Sequence, residues 1–324
     1  MFTEFGLIAH LQQLCSRLPD NGFEGIGDDC AVLPLGGGEV LVFTADLLVE
    51  GIHFLRYASP PGELARKSLH VNLSDVASMG VRPVATLLSV ALPPDTMQGD
   101  WARLFVEGYA AASAAAGVAL IGGDTTASKG EVCINVTAIG RGPEASLKRR
   151  SDARPGDIVL VGGELGASGT GLKDILAGRP DTPAARTHRN PEAQIEEGVW
   201  LGGRREVHAM MDLSDGLASD LKHILDRSGV GAEVDTECIP VAPGSDLETA
   251  LCGGEDYKLL LTASPANLEG LLADFRARFR RPLHPVGRIT EPLPEKGPGP
   301  LPGSIRWLSR GIPLAADWHG FRHY

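Results

Sequence analysis

At 324 residues the chain is longer than the ~250–300 residues at which a single hydrophobic core stops growing, so two domains are expected. Its formal net charge of −11 argues against nucleic acid or an anionic membrane as the main partner, since both select clustered Lys and Arg. An acidic protein that handled phosphates would need cations between itself and its ligand.

The opening Met1-Phe2-Thr3-Glu4-Phe5-Gly6 has neither the basic start nor the apolar run of a secretory signal. Short β-like runs then alternate with longer helical ones, which predicts an α/β or α+β fold. Residues 40–44 read as a strand, 63–79 as a helix and 84–92 as a strand. Residues 98–116 read as a second helix, so rich in Ala that it must pack closely against a neighbour. A strand follows at 132–139, then a polar, basic, turn-rich stretch from Arg141 to Asp157. That stretch divides the chain into an N-terminal domain, 1–142, and a C-terminal one, 143–324. The second half restarts with a strand at 158–161, and a later strand at 207–211 leads into a helix with apolar Leu217, Leu221, Ile224 and Leu225. Residues 293–302 are dense in Pro and Gly and predict a mobile connection. The five cysteines are scattered, odd in number and without a Cys-x-x-Cys, which fits reduced thiols in a cytoplasmic protein.

Five acidic clusters share one layout, a carboxylate at a glycine-containing turn or a strand end. They are Gly27-Asp28-Asp29, Thr44-Ala45-Asp46, Gly122-Gly123-Asp124-Thr125-Thr126, Asp212-Leu213-Ser214-Asp215-Gly216 and Gly253-Gly254-Glu255-Asp256. Any one alone reads as a turn; together they point to a binding function. Asp75 sits inside the first helix, where Asp is a poor helix former, and with Asn72 three residues earlier makes a polar notch on one face. Asp residues without a Cys or His cluster favour Mg²⁺ over Zn²⁺. Ser214 is placed to cap the helix near Leu217, where backbone amides can face a phosphate; an ordinary N-cap is the plainer reading.

Gly166-Ala167-Ser168-Gly169-Thr170-Gly171-Leu172-Lys173-Asp174 resembles a P-loop only superficially, because the Lys does not follow the second Gly and no Ser or Thr follows the Lys. No protein-kinase set and no Gly-x-Ser-x-Gly elbow can be assembled either.

Gly25-Ile26-Gly27-Asp28-Asp29-Cys30-Ala31, the run from Asp46 to His53, Val71-Asn72-Leu73-Ser74-Asp75, Leu120-Ile121-Gly122-Gly123-Asp124-Thr125-Thr126, Asp212-Leu213-Ser214-Asp215-Gly216-Leu217, Gly253-Gly254-Glu255-Asp256-Tyr257 and Asp317-Trp318-His319-Gly320-Phe321 follow one another in this order. In order and spacing they resemble the thiamine-monophosphate kinases, within the aminoimidazole ribonucleotide synthetase-like superfamily. The resemblance implies a two-domain fold whose N-terminal domain pairs in a homodimer, and ATP-dependent phosphorylation of thiamine monophosphate to thiamine diphosphate. It implies several Mg²⁺ ions held by Asp29, Thr44, Asp46, Asp75, Asp124, Asp212 and Asp215. It also implies ATP contacts from Gly123, Asp124, Arg150 and Ser214, and thiamine monophosphate contacts from His53, Glu255 and Trp318. Asp29, Asp46, Asp75, Asp124 and Arg150 form the implied catalytic set. By their residue types alone, His53 reads as a strand-end histidine, Arg150 as a solvated linker charge and Trp318 as a hydrophobic plug. The sequence departs from the resemblance at Ala114-Ala115-Ala116-Gly117, where relatives often carry an aromatic residue, and at Ala127-Ser128-Lys129, where a basic residue often comes sooner. Two other readings stand beside the kinase: an ATP-dependent ligase or cyclase of the same superfamily, and a non-catalytic nucleotide or metal sensor.

Overall fold

Alternation of apolar and smaller residues in the first half builds one sheet with a single covered face. The structure, a computed structural model, describes residues 4–294, 300–301, 303–316 and 318–320. Helix α1 (Glu4–Cys15) precedes β1 (Ala31–Gly36), β2 (Glu39–Val49), α2 (Pro61–Ser78) and β3 (Arg82–Leu92). The short α3 (Pro94–Met97), α4 (Trp101–Ala116), β4 (Ala119–Ala127) and β5 (Cys133–Pro143) complete this half. The strands lie in the order β1-β2-β5-β3-β4, antiparallel except for the parallel pair β3 and β4. Val40, Val42 and Leu48 of β2 face the covered side with Ile134, Val136 and Ala138 of β5, and α2 packs over them.

The helix expected from residue 98 begins at Trp101, because Gly99 and Asp100 separate it from the Pro94-started turn. Its small residues have the expected use. A Cβ on Gly108 would stand 2.5 Å from the Gly62 Cα, so the two glycines let α4 and α2 touch backbone to backbone.

Two 3₁₀ turns, Glu144–Ser146 and Arg150–Asp152, lead into the second half. Its elements are β6 (Ile158–Val161), α5 (Ala167–Leu176), α6 (Pro183–Arg189), α7 (Ile195–Gly202), β7 (Val207–Asp212), α8 (Leu217–Ser228) and β8 (Gly231–Asp235). They continue with α9 (Leu247–Cys252), β9 (Leu259–Ala263), α10 (Leu268–Phe279), β10 (His284–Thr290), β11 (Leu293–Pro294), β12 (Pro300–Leu301), β13 (Ile305–Ser309) and β14 (Ile312–Pro313). Seven strands form the sheet β14-β13-β8-β10-β6-β9-β7, with separate apolar clusters on its two faces. The Pro- and Gly-dense stretch contains a small antiparallel pair, β11 with β12; its residues 295–299 and 302 lie outside the described residues.

The halves join along α2. Gly198 of α7 meets the Ala77 backbone, Leu147 and Ala193 complete the N-terminal core, and Arg82 makes a bidentate pair with Glu196 at 2.6 and 2.9 Å. The joining stretch is packed rather than solvated: Lys148 is buried, with its ammonium donating to the Arg204 and Val207 carbonyls. Among the described residues no helix is long and apolar enough to cross a membrane.

Candidate active site

The notch foreseen on α2 is the hinge point of the site. Asn72 accepts the Asp46 backbone N–H at 2.9 Å, and the Asp75 carboxylate accepts the Thr44 hydroxyl at 2.5 Å, so two polar residues of one helix fix the end of β2. Across the domain boundary, β7 delivers Asp212 to the same place. Asp29, Asp46, Asp75 and Asp212 therefore crowd together, and Asp46, Asp75 and Asp212 each feel the charge of others in the set.

Burial first, and this repulsion second, push Asp46, Asp75 and Asp212 up. Asp46 rises to about 6 and Asp212 to about 8, and Asp75 stands well above the ordinary carboxylate range. Asp212 has a buried oxygen with no hydrogen-bond partner among the described residues. A buried carboxylate oxygen left bare is costly unless something positive completes it.

Arg150 supplies a fixed cation at the edge of this basin. Its guanidinium donates through both Nε, at 3.0 Å, and Nη2 to Asp29, whose other oxygen accepts the Ser78 hydroxyl. The reading of Arg150 as a solvated linker charge fails because its side chain is only 20% exposed and its backbone N–H donates to Asp28 at 3.0 Å. Asp28 rises to about 7 through burial and then through Asp29, against the pull of Arg150.

Ser214 does not cap α8. That position belongs to Gly216, at φ 100°, and the cap is made from inside the helix: Asp220 reaches back to accept the N–H groups of Asp215 and Gly216 at 3.1 and 3.0 Å. The Ser214 carbonyl instead accepts the Glu255 N–H at 2.7 Å, and that of Leu213 accepts the Tyr257 N–H at 2.8 Å. These bonds hold Glu255 and Tyr257 in left-handed conformations, φ 64° and 47°, which non-glycine residues adopt at a cost and often at functional sites. Asp256, between them, turns away to accept the Gly166 and Ser168 N–H groups at 2.6 and 3.1 Å.

A cavity of about 720 Å³ opens beside the basin, between the halves. Acidic and polar Asp46, Asp75, Ser214 and Asp215 line it, and so do apolar Ile52, Phe54, Leu55, Leu172, Ile175 and Leu176. His53, Lys67, His188 and Glu255 stand on its wall as well. His53 is held by the Val49 N–H, which donates to Nδ1 at 3.0 Å.

Three expected residues, Gly123, Asp124 and Trp318, are not brought here within one chain. Asp46 pairs with Val136, Val136 with Leu88, and Leu88 with Gly123. Paired residues share a sheet face, so Asp124 projects from the opposite face to Asp46, three strand spacings or ~14 Å away. Trp318 packs edge-to-face on Trp307, ring centroids 5.0 Å apart, and does not line the cavity. That is the plug reading; Asp317 and Phe321 of its motif lie outside the described residues. Among the described residues, no three His, Cys, Asp or Glu side chains close tightly enough to enclose an ion by themselves. Sequence reasoning missed Asp28, Lys67, His188 and Asp220. Of these only Asp28 carried a signal, its place in the Gly-Asp-Asp turn.

Two α/β halves with an acid-floored cleft between them define the class of the AIR synthase related proteins: the N-terminal domain model of that family matches residues 27–142 and the C-terminal one residues 154–293. Thiamine-monophosphate kinase of Salmonella typhimurium is 35% identical over 337 residues, spanning 99% of this chain and 98% of its own. The solved structure "AaThiL complexed with AMPPCP and TMP" has a TM-score of 0.80 at 29% identity, covering 99% of this chain and 97% of that one. Thiamine-monophosphate kinase from Stenotrophomonas maltophilia K279a has a TM-score of 0.73 at 32% identity, covering 97% and 98%. The chain belongs to the thiamine-monophosphate kinase family.

Proposed function

We propose that the protein transfers the γ-phosphoryl group of ATP directly to the phosphate of thiamine monophosphate, giving ADP and thiamine diphosphate. The observation that carries this reading is a cavity beside the acidic basin whose lining combines carboxylates, suited through cations to phosphates, with apolar side chains suited to an organic ring system. The acceptor phosphate, with a second pKa of about 6, is largely dianionic at neutral pH and needs no side-chain base. The obstacle is charge: each pair of unit charges at about 4 Å repels by roughly 4 kcal/mol at an effective dielectric of 20.

The basin fits hard cations, because its donors are all oxygens and one of them is buried and bare. Mg²⁺, when bound, supplies neutralisation of the meeting phosphates and Lewis-acid polarisation of the transferring group. Asp29, Thr44, Asp46, Asp75, Asp212 and Asp215 would hold it, completed by phosphate oxygens and water, since Mg²⁺ takes only one or two carboxylates beside a substrate phosphate. Arg150, locked to Asp29, adds positive charge at the edge, and Ser214 presents its hydroxyl to ATP. The aspartates hold charge and position; none becomes phosphorylated.

Asp124 and Gly123 enter through a homodimer. All nine residues of β4 are exposed, Leu120 and Ile121 among them, and an open edge strand of this kind calls for a cover. A twin chain laid over that face would bring Asp124 to the site across the interface. We place the domain division at 142/143, one residue before β5 ends at Pro143 and the first 3₁₀ turn begins at Glu144. The five free cysteines support a reducing, cytoplasmic setting.

Incubation with ATP, Mg²⁺ and thiamine monophosphate should yield thiamine diphosphate by chromatography, with free thiamine as control acceptor. Product from free thiamine alone overturns the choice of acceptor. A phosphoaspartate trapped in single turnover rejects direct transfer.

A further inference from the structure

We infer that Lys67 is a positioning residue that sets recognition of the pyrimidine ring of the acceptor, by holding the Glu255 carboxylate at the cavity wall as a charge-neutralised hydrogen-bond acceptor for the ring's exocyclic amino group. The inference rests on the acceptor proposed above.

Lys67 comes from α2, in the first half, and its side chain is 3% exposed. Its ammonium lies 2.9 and 3.0 Å from the two Glu255 oxygens and donates to the His53 carbonyl at 3.2 Å. His188 of α6 approaches the same carboxylate, 3.3 Å from Oε2, and shares Nδ1 with the Ser168 hydroxyl at 2.9 Å. An acid, an ammonium and an imidazole from different elements thus converge on one wall of the cavity.

Burial, and then the Lys67 charge, push His188 down to about 4, so the imidazole is neutral at neutral pH. Glu255 feels burial pushing it up, but the Lys67 ammonium leads the contributions that outweigh burial and hold it below the usual carboxylate range. The result is an ionised carboxylate whose charge is balanced by one ammonium. Such a pair exerts little net field on a cation, yet each oxygen keeps lone pairs to accept a hydrogen bond. Of the two rings of thiamine monophosphate, the thiazolium is a quaternary cation with no N–H, whereas the pyrimidine carries an amino group. The balanced carboxylate therefore suits the pyrimidine. Glu255 is also the fixed member of the pair, since its left-handed backbone is pinned to Ser214 at 2.7 Å.

The test compares thiamine monophosphate with oxythiamine monophosphate, which has an oxo group in place of the amino group, in the wild type and in Lys67→Met. A hydrogen bond to a charged group predicts a wild-type preference for the amino compound of roughly 10- to 100-fold in kcat/KM. Lys67→Met should raise KM for thiamine monophosphate about 10-fold and reduce the preference to within about 3-fold, leaving KM for ATP and KM for the oxo compound near their wild-type values. Equal losses on both acceptors, or no wild-type preference, overturn the inference. Should Lys67→Met fail to fold, Lys67→Met with Glu255→Gln removes both charges together, and a preference retained in that folded variant overturns it equally. Calorimetry separates this from the parent reading. Binding of both acceptors with the stated preference but no turnover sinks the kinase activity while Lys67 keeps its role, and no binding of either sinks both.

Discussion

Asp29 and Asp212 stand in the same basin with opposite energetic roles. Asp29 has a guanidinium and a hydroxyl on its oxygens, whereas Asp212 has a bare buried oxygen and like charges around it. Asp29→Asn should therefore destabilise the metal-free protein by about 1–3 kcal/mol, because it leaves the mostly buried Arg150 without its charge partner. Asp212→Asn removes a group whose charge is repelled, so above about pH 8, where the wild type must carry that charge, it should raise the metal-free Tm by about 2–4 °C, roughly the effect of 1 kcal/mol. Both should lose at least about 100-fold in kcat at limiting Mg²⁺. Thermal melts beside turnover assays check this, and equal Tm shifts in the two variants would remove the distinction.

At the scale of elements, the α2–α4 contact depends on two glycines. Gly108→Val forces side-chain atoms into the Gly62 backbone and should cost about 1–3 kcal/mol by overpacking, measured by urea unfolding. On the far side of the same sheet, Ile121→Asp should convert a dimer to monomers in light scattering and lower activity, if β4 is the dimer face. Strands β3 and β6 and helix α2 were legible within two or three residues, since their apolar spacing is set by the layer each one covers. The reach of Asp46 to Asp75 was legible as a set of acids but not as a contact, because Thr44 and Asn72 bridge segments 26 or more residues apart. The capping of α8 was misread at Ser214, since a buried Asp220 reaching backward has no sequence signature. The side from which Asp124 projects was not legible either, because a Gly-Gly-Asp string does not say which face of an edge strand its carboxylate will take.

For the whole molecule, the raised acids and lowered histidines set the pH dependence of stability without metal. A carboxyl whose folded pKa is raised stabilises the fold below its unfolded value and loses that contribution as pH rises through the folded one, here about 7 for Asp28 and about 8 for Asp212. His70, His188 and His223, each lowered to about 4 chiefly by burial, work the other way, because the unfolded chain takes up their protons below about 6.5. Tm should rise as pH falls from 8 toward roughly 6.5 and rise more gently below it, where the three histidines offset part of what Asp28, Asp46, Asp75 and Asp212 contribute; a Tm that climbs steadily with pH across this range would contradict the assignment. The same crowding of acids makes the empty basin a store of protons. Loading it with Mg²⁺ at pH 7 should expel them into solution, so the heat of metal binding should vary with the ionisation enthalpy of the buffer, and an unbuffered sample should turn more acidic as the metal goes in.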